Sequence, residues 1–217
     1  MFVWFLRAQL KTFVASWSSW LTALAYFAGA CFLLAWPLRD APSVIVQMGQ
    51  PATLALGALS VFYVLSDFWH QDSRSGKTSV LQVSRQLAPY VLGRALACLP
   101  MVALYSLLAS VTGMLLFNQP FLSAPQTFVS LISVAPGVAG LSLLTSSLTI
   151  GSRSQSAILG AIVVLPLLVP LVVFANIYLV SSQLVGTWVT PSLVSLIGLS
   201  TLYFILGALG PIWTLKR

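Results

Sequence analysis

Two stretches of this chain pass 58 residues (Arg94 to Arg153) and 62 residues (Arg153 to Lys216) without a charged side chain. Two shorter ones, 27 residues between Lys11 and Arg39 and 26 between Asp40 and Asp67, behave the same way. A water-facing surface cannot be built from such runs: a soluble domain is about 25% charged, whereas this chain is 6% charged and 59% apolar. Hydrocarbon is the solvent that accepts them. A core about 30 Å thick is crossed by about 20 apolar residues in an α-helix, so the two shorter gaps hold one span each. The two longer gaps hold two spans each, because each is interrupted midway by turn-forming residues. These are Asn118, Gln119, Pro120, Ser123, Pro125 and Gln126 in one, and Ser181, Ser182, Gln183, Gly186 and Pro191 in the other.

The expectation is an all-α integral membrane protein, with residues 1–217 as a single transmembrane domain of six helices. The spans are placed at about 18–38, 51–68, 90–117, 126–148, 157–180 and 189–215. The alternating pattern of about ten residues per segment that membrane β-strands require is missing from runs such as Ile158 to Val173. Trp20 and Trp36 would bracket the first span about 24 Å apart, and Trp188 and Trp213 the last about 37 Å apart, as interfacial anchors. Ala28-Gly29-Ala30 has the small-residue pattern of a cleavage site, yet the apolar run continues to Leu38, which favours a retained span. Before it, Phe2, Phe5, Leu6, Leu10 and Phe13 alternate with Arg7, Gln9 and Lys11 in the manner of a short N-terminal interfacial helix.

With six spans, Arg7, Lys11, Arg74, Lys77, Arg85, Arg94, Arg153, Lys216 and Arg217 fall on one side and Arg39 alone on the other. The positive-inside rule then puts both termini on the cytoplasmic side, or on the matrix side of an organelle. The net charge of +7 reports this topology and contact with anionic lipid, and not nucleic-acid binding.

Few groups remain for chemistry. The chain has one His and no Glu. Cys31 and Cys98 fall inside spans with no Cys-x-x-Cys pairing, as buried fillers, and His70 has no second ligand at metal-binding spacing. Ser75-Gly76-Lys77-Thr78 matches the tail of a phosphate-binding loop, but Gln71 stands where the first glycine belongs. No catalytic residue, metal site or cofactor site is expected, and no titratable group lies deep in a span to relay protons.

Three features stand out. Residues 67–89, read as a cytoplasmic coupling loop, gather Asp67, Asp72, Arg74, Lys77 and Arg85, and Val80, Leu81, Val83 and Leu87 supply an apolar face at helical spacing. Such a segment could dock on a soluble partner and pass its motion to spans two and three, or rest on lipid headgroups. In span five, Pro166 and Pro170 each remove a backbone donor and favour a kink. In span four, Gly137, Gly140, Ser142, Thr145, Ser146 and Ser147 permit close helix approach, within the bundle or toward a second copy.

The six spans, the loop residues Trp69, Asp72, Gly76 and Leu81, and the run Leu165, Pro166, Pro170, Phe174 together resemble the haem exporter protein B family (CcmB). The likeness is best from about Phe68 to Ala175. It implies an ABC-2-like permease subunit of the system I cytochrome c maturation complex, in a bacterial inner membrane or the mitochondrial inner membrane. It further implies that the region around Trp69, Asp72, Gly76 and Leu81 contacts a separate ABC ATPase subunit. A haem-handling membrane protein and an outward-facing haem chaperone would be further partners. Haem would then be cargo of the complex, linked to export or to ATP-dependent release of the loaded chaperone. Ser75 and Ser79 depart from the family pattern, where acidic residues are usual. The rival readings are an ABC-2 exporter subunit for a lipid, drug or glycan, and a non-transporting membrane scaffold.

Overall fold

The computed structural model describes residues 17–74, 87–149 and 156–214. Six long helices account for nearly all of them: α1 (Trp17–Ala35), followed by a single 3₁₀ turn (Trp36–Leu38), then α2 (Pro42–Arg74), α3 (Leu87–Leu116), α4 (Ser123–Thr149), α5 (Ser156–Val185) and α6 (Pro191–Thr214). Each contains a window long and apolar enough to cross a membrane. Among the described residues there is no strand. The short turns 39–41, 117–122 and 186–190 join α1 to α2, α3 to α4 and α5 to α6, giving three helical hairpins whose turns lie at one end of the bundle.

The central element is α4, which packs against α2, α3, α5 and α6, whereas α1 touches only α2 and α3. Two-thirds of the apolar window of α4 is buried inside the bundle, against 17% for α1 and 22% for α6. Composition explains the difference. Leu and Ile give no net gain when they leave lipid for protein, so helices associate in a membrane where small residues let backbones approach. On α4 Gly140 meets the backbone of Tyr203 and Phe204, and a Cβ on Gly207 of α6 would fall on the backbone of Gly140 itself. The small residues of the fourth span are thus used inside the chain, against α6.

Interior prolines are widespread: Pro51 in α2, Pro100 in α3, Pro136 in α4, and Pro166 with Pro170 in α5. Each leaves a carbonyl one turn back without its helical donor, which hydrocarbon tolerates only if another group intervenes. Pro136 deprives the Ile132 carbonyl of its donor, and the same turn of α4 is bonded from outside by Ser200 of α6. Its Oγ accepts the Gly137 N–H at 2.7 Å and donates to the Val134 carbonyl at 3.3 Å. Ser130 of α4 likewise donates to the Ala175 carbonyl of α5 at 3.3 Å. The buried polar side chains among the described residues are all Ser or Thr, and several donate to their own helix one turn back, as Thr53 does to Gly49 and Thr145 to Leu141.

Three local expectations are corrected. The second span does not begin at Pro51. Pro42 occupies the first helical position, Ala41 caps it by accepting from Val44 and Ile45 at 3.0 and 3.1 Å, and Pro51 lies in the interior. Asp67 to Arg74 is not loop but the continuation of α2; the charges mark where the chain leaves hydrocarbon, and no Gly or Pro occurs there to stop the helix. Trp20 is no interfacial anchor: it is 4% exposed and sits 5.9 Å from Tyr105 of α3, on the stripe it shares with Ala23, Phe27 and Cys31. At the two ends of this first span it is Trp17 and Trp36 that are exposed. Cys31 and Cys98 are buried, as expected of apolar fillers.

The α4–α6 seam gives a graded prediction. Ser200→Ala strands one donor and one acceptor and should destabilise the chain by about 1 kcal/mol, within the range of membrane hydrogen bonds. Gly207→Leu forces backbones apart and should cost about 3 kcal/mol, at the upper end of overpacking. SDS-induced unfolding in micelles measures both; equal stability of wild type and Gly207→Leu would contradict the seam.

Candidate functional site

At the end with the short turns, two helices stop on left-handed residues. Asn118 (φ 48°) follows α3, and the Gln119 N–H returns to the Met114 carbonyl at 2.9 Å, the six-to-one bond of a Schellman cap. Gly186 (φ 69°) follows α5 and bonds the Ser182 carbonyl at 3.0 Å. These sharp stops turn the chain back beside its own helices. Gly49 of α2 makes room for the first turn, since a Cβ there would collide with Phe117 and Gln119. The second turn leads into α6 through Thr190 and Pro191, with Pro at the first helical position. Tyr178 pins it by donating to the Trp188 carbonyl at 3.3 Å, and the Thr190 and Ser192 hydroxyls pair at 2.7 Å.

Between these turns and the facing parts of α2, α4 and α5 lies a cavity of about 790 Å³, within the ~300–1,000 Å³ usual for ligand sites. Its polar lining is dominated by amides: Gln47 and Gln50 from α2, Gln119 from the first turn, Gln126 from α4, and Asn176 and Gln183 from α5. Among the described residues no charged one lines it. Two amides tie the walls together. Gln119 Nε2 donates to the Val46 carbonyl at 2.6 Å, and Gln183 Nε2 to Gln50 Oε1 at 2.7 Å. The Gln50 Nε2 is buried and lacks a partner. Asn176 lies nine residues before the end of the 30-residue α5, about 14 Å down the helix axis, so the polar lining reaches about a third of the way along that helix.

The opposite end carries the residues singled out in the sequence. Trp69 and Asp72 lie on the last two turns of α2, in the polar stretch from Asp67 to Arg74 that follows its long charge-free run. The next helix, α3, begins at Leu87, seven residues before Arg94. Gly76 and Leu81, with the apolar face from Val80 onward, lie outside the described residues, as does the N-terminal segment. Pro166 and Pro170 sit within α5, which runs unbroken through both; Asn176 follows Pro170 by six residues toward the cavity. Sequence reasoning missed the cavity. Its signal was present in Asn176, the single amide in the apolar run from Ile158 to Val180.

Among the described residues no three His, Cys, Asp or Glu side chains come together to hold a metal. Six long apolar helices, with α2 running on through the polar stretch from Asp67 to Arg74 at one end, have the build of a polytopic membrane protein. The model of the CcmB protein family matches residues 1–210, and the chain belongs to that family. Family membership makes it a membrane permease subunit of an ABC haem exporter, working with an ABC ATPase in cytochrome c maturation. None of the curated proteins matches it.

If the cavity is open to water, a thiol placed in it should react. Asn176→Cys should be modified by a membrane-impermeant maleimide in intact nanodiscs, while Cys31 and Cys98, 0% and 3% exposed, stay unlabelled. An unreactive Cys at 176 in a folded variant would show that the cavity is closed to solvent.

Proposed function

We propose that this chain is the energy-receiving membrane subunit of its complex: an ATPase bound in trans at the end carrying Trp69 and Asp72 drives a rearrangement of the bundle that reaches the opposite end. The observation that carries the reading is the family match over residues 1–210. Two further features support it. The chain has no complete phosphate-binding loop of its own, so hydrolysis belongs to another subunit. α2 continues as helix through the polar stretch from Asp67 to Arg74, where a helix passes a docked partner's motion directly into the bundle.

The basic residues orient this bundle, with the end carrying Trp69 and Asp72 and both termini on the cytoplasmic or matrix side and the amide-lined cavity facing outward. Trp69, Asp72, Gly76 and Leu81 form the ATPase contact. Pro166 and Pro170 shape α5, the helix that carries Asn176 and Gln183 to the cavity. Haem is cargo of the assembly and not a resident cofactor of this chain. The output of the ATPase cycle is haem export or release of the haem-loaded chaperone, beside a haem-handling membrane protein.

The test is biochemical. In mild detergent the chain should copurify with its ATPase and raise ATP turnover, and Asp72→Ala combined with Gly76→Leu should remove at least about 80% of that stimulation, as loss of a central interface contact does. Release of the haem-loaded chaperone should fall in parallel. Recovery of the chain with no ATPase bound would refute the reading. Normal holo-chaperone and c-type cytochromes in a deletion strain would reassign the cargo to another substrate.

A further inference from the structure

The amide-lined cavity is not explained by ATPase coupling, and its chemistry restricts what can enter. Anions are disfavoured: no Lys, Arg or His lines the wall. The first N–H groups of α4 are also already taken, Ser123 by the Pro120 carbonyl at 2.8 Å and Ala124 by Phe121 at 3.3 Å, so that helix start offers no ready anion site. Cations find no carboxylate. Haem fits poorly, because the lining has no His, Cys, Met or Tyr to reach iron and no cation to balance two propionates.

Neutral groups that both donate and accept hydrogen bonds remain, and the side chains are equipped for them. Gln47, Gln126 and Asn176 make no side-chain hydrogen bond among the described residues, and each amide offers two donors and an acceptor. In an apolar bundle such groups need water or a ligand. Sugars are less suited than peptide: Trp188 is the one aromatic surface in the lining, and no carboxylate is present to grip hydroxyls. Polypeptide backbone carries one donor and one acceptor per residue, and the cavity already holds an example of such recognition in Gln119 bonded to the Val46 carbonyl. Apolar wall from Leu122, Leu179 and Val180 lies between the amides, as the alternating side chains of an extended strand require. From Asn176 to Gly186 is about 15 Å along α5, room for four or five extended residues at about 3.3 Å each.

We propose that this cavity binds a short, uncharged, extended segment of a partner polypeptide, recognised mainly through its backbone. The proposal stands apart from ATPase coupling, and its test uses no ATPase. Cys31 and Cys98 are buried, so Thr187→Cys in the full chain provides a single reactive thiol on the cavity wall for an environment-sensitive fluorophore. The labelled chain in nanodiscs is titrated with an acetylated and amidated hexapeptide of alternating alanine and serine, and separately with maltotriose and haemin. The peptide should give a saturable emission shift with millimolar or tighter affinity, weakened at least about tenfold by Asn176→Leu and by Gln126→Leu. Thermal scans establish that each variant is folded; should Asn176→Leu unfold, Gln126→Leu, nearer the rim, decides. No saturable response to peptide overturns the proposal. So does saturable binding of maltotriose or haemin in its place, or peptide binding undiminished in the folded variants.

Discussion

A backbone in hydrocarbon has no water to fall back on, and the bundle is organised by where its backbone groups find partners. The decisive instance is Ser200, whose hydroxyl accepts from Gly137 and donates to Val134 beside Pro136. That one side chain ties the proline-containing turn of the central helix to α6 and fixes the register of α6 on α4. The Gly140–Gly207 approach follows from the same register. With α6 held there, α4 is free to present its other faces to α2, α3 and α5, and the cavity forms where those helices meet the turns.

The two ends of the molecule then differ in kind. At one, α2 and α3 carry Asp67, Asp72, Arg74 and Arg94. At the other, tight caps at Asn118 and Gly186 fold the chain onto its own helices and leave a charge-free cavity. Helices α2 and α5 connect the ends, and the Gln183–Gln50 bond joins those two helices at the cavity.

The six-helix count was legible because charge is excluded from hydrocarbon, and its gaps mark the spans. Family membership was legible in Trp69, Asp72, Gly76, Leu81 and the paired prolines. The ends of elements were harder to read. Pro42 and Pro51 are both acceptable first residues of a helix, and only the cap at Ala41 distinguishes them. Charged residues from Asp67 onward signal water without signalling a helix end. Trp20 looked interfacial because a tryptophan near a span end usually is, and its partner Tyr105 is 85 residues away. The cavity was hidden because Gln119, Gln126 and Gln183 also read as ordinary turn residues; their convergence with Gln47, Gln50 and Asn176 is a property of packing.

The central claim is that events at the end carrying Trp69 and Asp72 are felt at the cavity. The most direct measurement is the maleimide reactivity of Asn176→Cys in the reconstituted complex with its ATPase, compared between the nucleotide-free state and the state trapped with ATP and vanadate. The account predicts a change of at least about tenfold in labelling rate between the two states, corresponding to about 1.4 kcal/mol of shifted equilibrium. Identical rates in a complex that hydrolyses ATP would contradict it.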